Sequence, residues 1–170
     1  MSLRIIATGG TFDKHYDPLA GALVFGESVV PAAVKRARLT EACAIEPLMA
    51  IDSLDMQDVH REQIRAACQR APESRIVIVH GTDTMGETAA VIAAAQLPKT
   101  IVLTGAMVPY ELAGSDAMFN LGAAITAARV SLPGVWIAMH AQIFPWHAVR
   151  KNRAAGVFEW VDVSRPENAG

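Results

Sequence analysis

Four short aliphatic runs constrain this chain more than any other feature: LRIIA (Leu3–Ala7), RIVIVH (Arg75–His80), TIVLTG (Thr100–Gly105) and VWIAMH (Val135–His140). None alternates apolar with polar residues, so each must bury both faces, as strands of a helix-covered parallel sheet do. Between them lie REQIRAACQRA (Arg61–Ala71), ETAAVIAAAQ (Glu87–Gln96) and NLGAAITAARVS (Asn120–Ser131), rich in helix formers and closing near Pro72, Pro98 and Pro133. The alternation predicts an α/β fold, a three-layer domain with a mainly parallel sheet. At 170 residues and 52% hydrophobic, the chain has length for one filled core, and a single domain over residues 1–170 is expected. The tail SRPENAG reads as a frayed end.

Charge removes several function classes. Fifteen Lys and Arg against seventeen Asp and Glu leave a net charge of −2, with no basic field for nucleic acid and no polybasic cluster for a membrane. No apolar run reaches the roughly 18 residues of a membrane span, and Arg4 inside the first strand argues against a signal peptide. A soluble, cytoplasmic protein is expected. Cys43 and Cys68 lie outside any CxxC or His-rich setting, so the expectation is two small core residues, no metal and no cofactor.

In an open α/β sheet, ligands bind beyond the carboxyl ends of the strands. Three strands run there into loops of one character: TGGT (Thr8–Thr11), HGTDT (His80–Thr84) and TGAM (Thr104–Met107). TGGTFDKHYD lacks the spacing of a dinucleotide fingerprint or a P-loop, which leaves an ordinary glycine turn or a catalytic loop whose backbone N–H groups are exposed. The following FDKHYDPLAGALVFG reads as a mobile loop from about Phe12 to Gly26. T-x-x-E from Thr84 to Glu87 predicts a capping box on the next helix. That leaves Asp83 at a helix N-terminus, ionised and suited to an ammonium group. His80, at the end of a buried strand, is expected to be hydrogen-bonded inside; His15, on the loop, is a possible proton carrier.

ATGGT and HGTDTMGET, with SLDM at Ser53, LTGAMVP at Leu103, SDAMFNL at Ser115 and KNRAAGVFEW at Lys151, resemble the ordered motifs of the bacterial-type L-asparaginases. Those enzymes hydrolyse asparagine to aspartate and ammonia. The resemblance makes Thr11 the primary nucleophile, assisted by Tyr16, whose register the loop leaves open. It makes Thr82, Asp83 and Lys151 the second catalytic group, Ser53 the holder of the substrate α-carboxylate and Asp83 the holder of its α-ammonium. It makes the N–H groups of Gly10 and Thr82 the oxyanion donors and the Ala106 carbonyl the acceptor for the leaving amide. Asp116 and Asn120 are expected to fix loops.

A threonine hydroxyl is a weak nucleophile, so a base must take its proton. Lys151 can do so directly only with a lowered pKa, which burial favours and Asp83 opposes; a relay through Thr82 or Tyr16 is the alternative. Two other functions stay open: an amidohydrolase acting on another small amide or an amidated tRNA, and a non-catalytic amino-acid-binding module. The likeness covers only the N-terminal part of that family. A short form without the C-terminal domain is expected, with an acid such as Glu27 or Glu159 from a neighbour in a homodimer or homotetramer completing the ammonium pocket.

Overall fold

A computed structural model describes residues 2–161; the tail SRPENAG lies outside them. Ten strands and four α-helices form, in chain order, β1 (Leu3–Gly9), β2 (Lys14–Asp17), β3 (Ala22–Phe25), α1 (Val30–Ala37), β4 (Cys43–Ile51), α2 (Asp58–Arg70), β5 (Arg75–Val79), α3 (Met85–Ala94), β6 (Thr100–Thr104), α4 (Ala117–Val130), β7 (Gly134–Met139), β8 (Gln142–Pro145), β9 (Val149–Asn152) and β10 (Val157–Trp160). The central sheet runs β4-β1-β5-β6-β7-β8. Every pairing in it is parallel except β7 with β8.

The four aliphatic runs are its central strands, and their lack of alternation has the expected cause. Ile5, Val77, Val79 and Val102 point to the face covered by α1 and α4, while Ile6, Ile76, Ile78 and Leu103 point to the face covered by α2 and α3. Both faces are dry, so both demand apolar side chains, and the result is three layers.

The sequence reading did not name β2, β3, β4, α1, β8, β9 or β10, and for β4 and the β2–β3 hairpin the reason is identifiable. β4 is an edge strand whose EP dipeptide breaks the aliphatic pattern. Pro47 is tolerated because an edge strand has one side free of ladder bonds, and Glu46 accepts from Arg4 Nη1 at 2.9 Å. The segment read as a mobile loop forms an antiparallel hairpin of β2 and β3, turning through Pro18 and Gly21. Ahead of it, residues Thr11–Asp13 make one 3-10 turn that is pinned on two sides. The buried Phe12 ring stacks on Tyr110, and Asp13 Oδ1 accepts from Val29 N at 2.7 Å and Ser28 Oγ at 3.0 Å at the start of α1.

Cys68 is buried, which pushes its thiol up to about 12, and Cys43 is half-buried; both are free. Among the described residues, no helix is long and apolar enough to cross a membrane.

The tightest constraint falls at Gly10, which has φ 71° and ψ −178°, a combination that favours glycine. A Cβ there would lie 2.4 Å from both Cα and N of Gly81. Gly10→Ala should therefore cost about 2–4 kcal/mol of stability, from backbone strain and overpacking together. Urea unfolding of the variant measures it; an unchanged midpoint would refute this account of the turn.

Candidate active site

The sheet's carboxyl edge is assembled from loops after β1, β4, β5 and β6, held together by glycine contacts. Gly10 lies against Gly81, and a Cβ on Gly81 would in turn meet Ser53 Oγ at 2.5 Å. Ser53 is buried in a 3-10 turn whose start is capped by Asp52, and its Oγ accepts from Asp83 N at 3.3 Å. The structure thus brings Gly10, Thr11, Ser53, Thr82 and Asp83 to one rim.

Lys151 reaches that rim from outside the main sheet. It sits on β9, paired with Phe158 of β10, and its side chain is only 12% exposed. Nζ donates to Thr82 Oγ1 at 2.7 Å and to Asp83 Oδ1 at 2.9 Å. Asp83 also has Arg153 Nε at 3.4 Å, on a largely exposed side chain. On the opposite side Lys14 Nζ donates to Asp52 at 2.6 Å, which joins the Thr11 turn to the Ser53 turn. Lys14 holds the Asp52 carboxyl below the usual range, and Lys151 adds a smaller pull.

Of the hydroxyls on these motifs, those of Thr8, Thr84 and Thr104 are spent on the backbone. Thr8 Oγ1 donates to Val79 O at 2.9 Å and Thr104 Oγ1 to Ala138 O at 2.8 Å. Thr11 Oγ1, by contrast, has no hydrogen-bond partner among the described residues.

Three expectations need revision. The Gly10 N–H donates to Ile51 O at 3.0 Å, so it is committed to the fold; the N–H groups of Thr11 and Thr82 have no partner among the described residues and are the donors left on the rim. Thr84 does precede α3, but no capping box forms. Its Oγ1 donates to Ser53 O at 2.7 Å, and Glu87 pairs with Arg61 at 2.6 Å. His15 is tied up at the hairpin base, with Nδ1 3.0 Å from Glu111 Oε2 and Nε2 2.8 Å from the Glu27 carbonyl. Both partners accept, so the ring donates twice only when protonated. The Glu27 carbonyl above all, then Glu111, accordingly raises its pKa.

The other expected residues are placed as follows. Ala106 is fully buried after β6. Tyr16, on β2, is 55% exposed, with no hydrogen bond to the Thr82–Asp83–Lys151 group. Glu27 offers its carbonyl to His15, and Glu159 accepts from Asn152 Nδ2 at 2.8 Å. Asp116 accepts from Met107 N and Val108 N, and Asn120 Nδ2 donates to Gly105 O at 3.1 Å, so both fix the loop that carries Ala106. His80 is fully buried, with Nδ1 2.7 Å from Gly81 O and Nε2 2.8 Å from Thr88 Oγ1.

A cleft of about 480 Å³ opens beside the hairpin, lined among others by Asp13, Glu27 and Ser28, and touches none of Thr11, Thr82, Asp83 and Lys151. A smaller cavity of about 120 Å³ borders Thr82, Asp83 and Lys151. Chemistry is assigned to the rim because the paired groups are there. Sequence reasoning missed Lys14, Asp52 and Arg153; the first two adjoin residues it had singled out, which was the one signal for them.

Fold and site together define an α/β protein with hydroxyl, lysine and carboxylate groups converging at the sheet's carboxyl edge. Residues 2–162 match the N-terminal domain model of the asparaginase family, and the chain belongs to that family. It is 32% identical over 147 residues to a glutamyl-tRNA(Gln) amidotransferase component from Pyrococcus abyssi, covering 82% of this chain and 34% of that protein. Among solved structures it resembles the thermostable L-asparaginase of Thermococcus kodakarensis, with a TM-score of 0.85, 28% identity and coverage of 98% and 52%. It also resembles a probable cytoplasmic L-asparaginase from Campylobacter jejuni, with a TM-score of 0.80, 27% identity and coverage of 95% and 53%. The chain spans between a third and about half of the length of these relatives.

Burial drives the His80 pKa down to about 4, so the folded ring is neutral where an unfolded one, with an ordinary value near 6.5, is protonated. Between those values the unfolded state binds more protons, so stability falls as pH drops from about 6.5 to 4, by about 3 kcal/mol from this residue. His80→Gln should flatten that part of the stability profile in urea titrations at several pH values. An identical slope in both proteins would contradict the assignment.

Proposed function

We propose that this chain hydrolyses the side-chain amide of L-asparagine to L-aspartate and ammonia, with Thr11 as nucleophile. The observation that carries the reading is Lys151 bonded to both Thr82 and Asp83 at the rim where Thr11 presents a free hydroxyl. Family membership supports amide hydrolysis as the chemistry.

In this mechanism Thr11 Oγ1 attacks the amide carbon and its proton passes, through Thr82 or Tyr16, toward Lys151 in its amine form. The Thr82 and Thr11 N–H groups stabilise the oxyanion, each such donor being worth about 3–4 kcal/mol. The Ala106 carbonyl accepts from the amide nitrogen, which leaves as ammonia after protonation. Water then attacks the Thr11 ester, and the acid is released. Ser53 Oγ, already an acceptor from Asp83 N, retains a proton to donate to the substrate carboxylate. No step calls for a metal or cofactor.

A cytoplasmic location belongs to the same reading, supported by the Campylobacter jejuni relative. So does self-association into a homodimer or homotetramer, supported by Phe119 and Val130, which α4 leaves bare on one exposed face. The relation to an amidotransferase component supports a different amide as the alternative substrate.

Thr11→Ala should abolish ammonia release while L-aspartate still binds, because the hydroxyl supplies covalent chemistry and Ser53 and Asp83 supply ground-state contacts. Ammonia release from asparagine and glutamine, with calorimetry for aspartate, checks it. Retention of more than about 5% of wild-type turnover would remove Thr11 from the nucleophile role.

A further inference from the structure

The turn that carries Thr11 and the turn that carries Ser53 are held by different parts of the molecule. Phe12 stacked on Tyr110, and Asp13 accepting from Val29 N and Ser28 Oγ, tie the first to the loop after β6 and to the start of α1. Asp83 N on Ser53 Oγ, and Thr84 Oγ1 on Ser53 O, tie the second to the loop after β5. Two hydrogen bonds join the turns directly. At the near end Gly10 N donates to Ile51 O at 3.0 Å, and at the far end Lys14 Nζ donates to Asp52 Oδ2 at 2.6 Å.

Lys14 and Asp52 are each built into the turn they join. The Lys14 N–H closes the Thr11 turn onto Thr11 O, and its Nζ lies 5.3 Å from the centroid of the Phe25 ring on β3. While Asp52 Oδ2 takes Lys14, its Oδ1 accepts from Leu54 N at 3.1 Å and so starts the Ser53 turn. The two side chains are 20% and 28% exposed, which limits the screening of the pair by solvent. The glycine contacts at Gly10 and Gly81 set how near the turns can come, and do nothing against separation. Held by the Gly10 bond alone, the Thr11 turn is free to swing about that point. The Lys14–Asp52 pair closes the far end and fixes the span.

In the amidohydrolase reading above, on which this inference rests, Thr11 attacks the amide and Ser53 Oγ holds the substrate carboxylate. The span between the two turns is then the length a substrate must match, and asparagine and glutamine differ along it by one methylene. We infer that the Lys14–Asp52 pair is the positioning element that fits the site to the shorter amide, so that breaking it loosens discrimination against L-glutamine. The pair acts through the two turns and need not touch the substrate.

The test measures kcat/KM for ammonia release from L-asparagine and L-glutamine in the wild type, Lys14→Gln, Asp52→Asn and Lys14→Arg. Asp52→Asn keeps an oxygen for the Leu54 N–H and removes the charge that holds Lys14. The two substrates carry the same α-carboxylate and α-ammonium, so a lost charge or a partly unfolded variant lowers both alike and cancels in their ratio. The wild type should prefer asparagine by at least about ten-fold, the discrimination that one methylene permits. Lys14→Gln and Asp52→Asn should each lose about ten-fold on asparagine and much less on glutamine, so that the ratio falls about five-fold. Lys14→Arg, which keeps the pair, should retain the wild-type ratio. No preference in the wild type, a ratio unchanged in Lys14→Gln and Asp52→Asn, or one that falls as far in Lys14→Arg overturns the inference and leaves amide hydrolysis standing. Ammonia from neither substrate overturns the amidohydrolase reading instead, and calorimetry then decides the span by itself. L-Aspartate bound more tightly than L-glutamate, with the margin reduced in Lys14→Gln, supports it; an equal margin in both proteins overturns it.

Discussion

The site depends on a steric condition, the contact of the β1 loop with the β5 loop at Gly10 and Gly81. With no side chain on either residue, the Thr11 turn can lie on the loop carrying Thr82 and Asp83, and Gly81 in turn lets the Ser53 turn close from the other side. Each contact is below the distance a Cβ tolerates, so these loops can share one rim only as glycine-linked backbones. The hydrogen bond from Gly10 N to Ile51 O then fixes their register. That bond explains why Gly10 serves the site by shape, and why the donors left over belong to its neighbours.

Electrostatics works at a second level, after the backbone has set positions. His80 beneath the rim is neutral, since burial of its imidazole disfavours the protonated form. At the rim Lys14, Lys151 and Arg153 meet Asp52 and Asp83. Lys151 is the most enclosed of these cations, and it alone touches a hydroxyl. Its two hydrogen bonds, to Thr82 Oγ1 and Asp83 Oδ1, tie β9 to the loop after β5.

Local pattern made much of this legible and left out what depends on long-range partners. The central strands could be read because both of their faces are buried, and α2, α3 and α4 because each is rich in helix formers and packs on the sheet. β4 could not, since its Glu46 and Pro47 make sense only beside Arg4 and at a sheet edge. The capping box failed for a related reason: Thr84 and Glu87 found better partners in Ser53 and Arg61, at separations of 31 and 26 residues. Lys151 was legible only through family likeness, because nothing in RKNR reveals that β9 folds back onto the β5 loop. Arg153, two residues on, had no such signal.

Identical residues in similar motifs meet different fates according to where the sheet stops. Thr8 and Thr104 stand where a neighbouring strand still offers a carbonyl, so each hydroxyl closes onto it and becomes part of the sheet. Thr11 and Thr82 lie past the ends of β1 and β5, where no ladder remains to absorb them. Thr82 accepts a hydrogen bond from Lys151, and Thr11 keeps its hydroxyl free. Freedom alone would leave Thr11 poorly aimed, but Phe12 on Tyr110 and Asp13 on the start of α1 hold its turn from two sides. An unpartnered hydroxyl on an anchored turn is the arrangement a nucleophile needs, because orientation is then set before the substrate arrives.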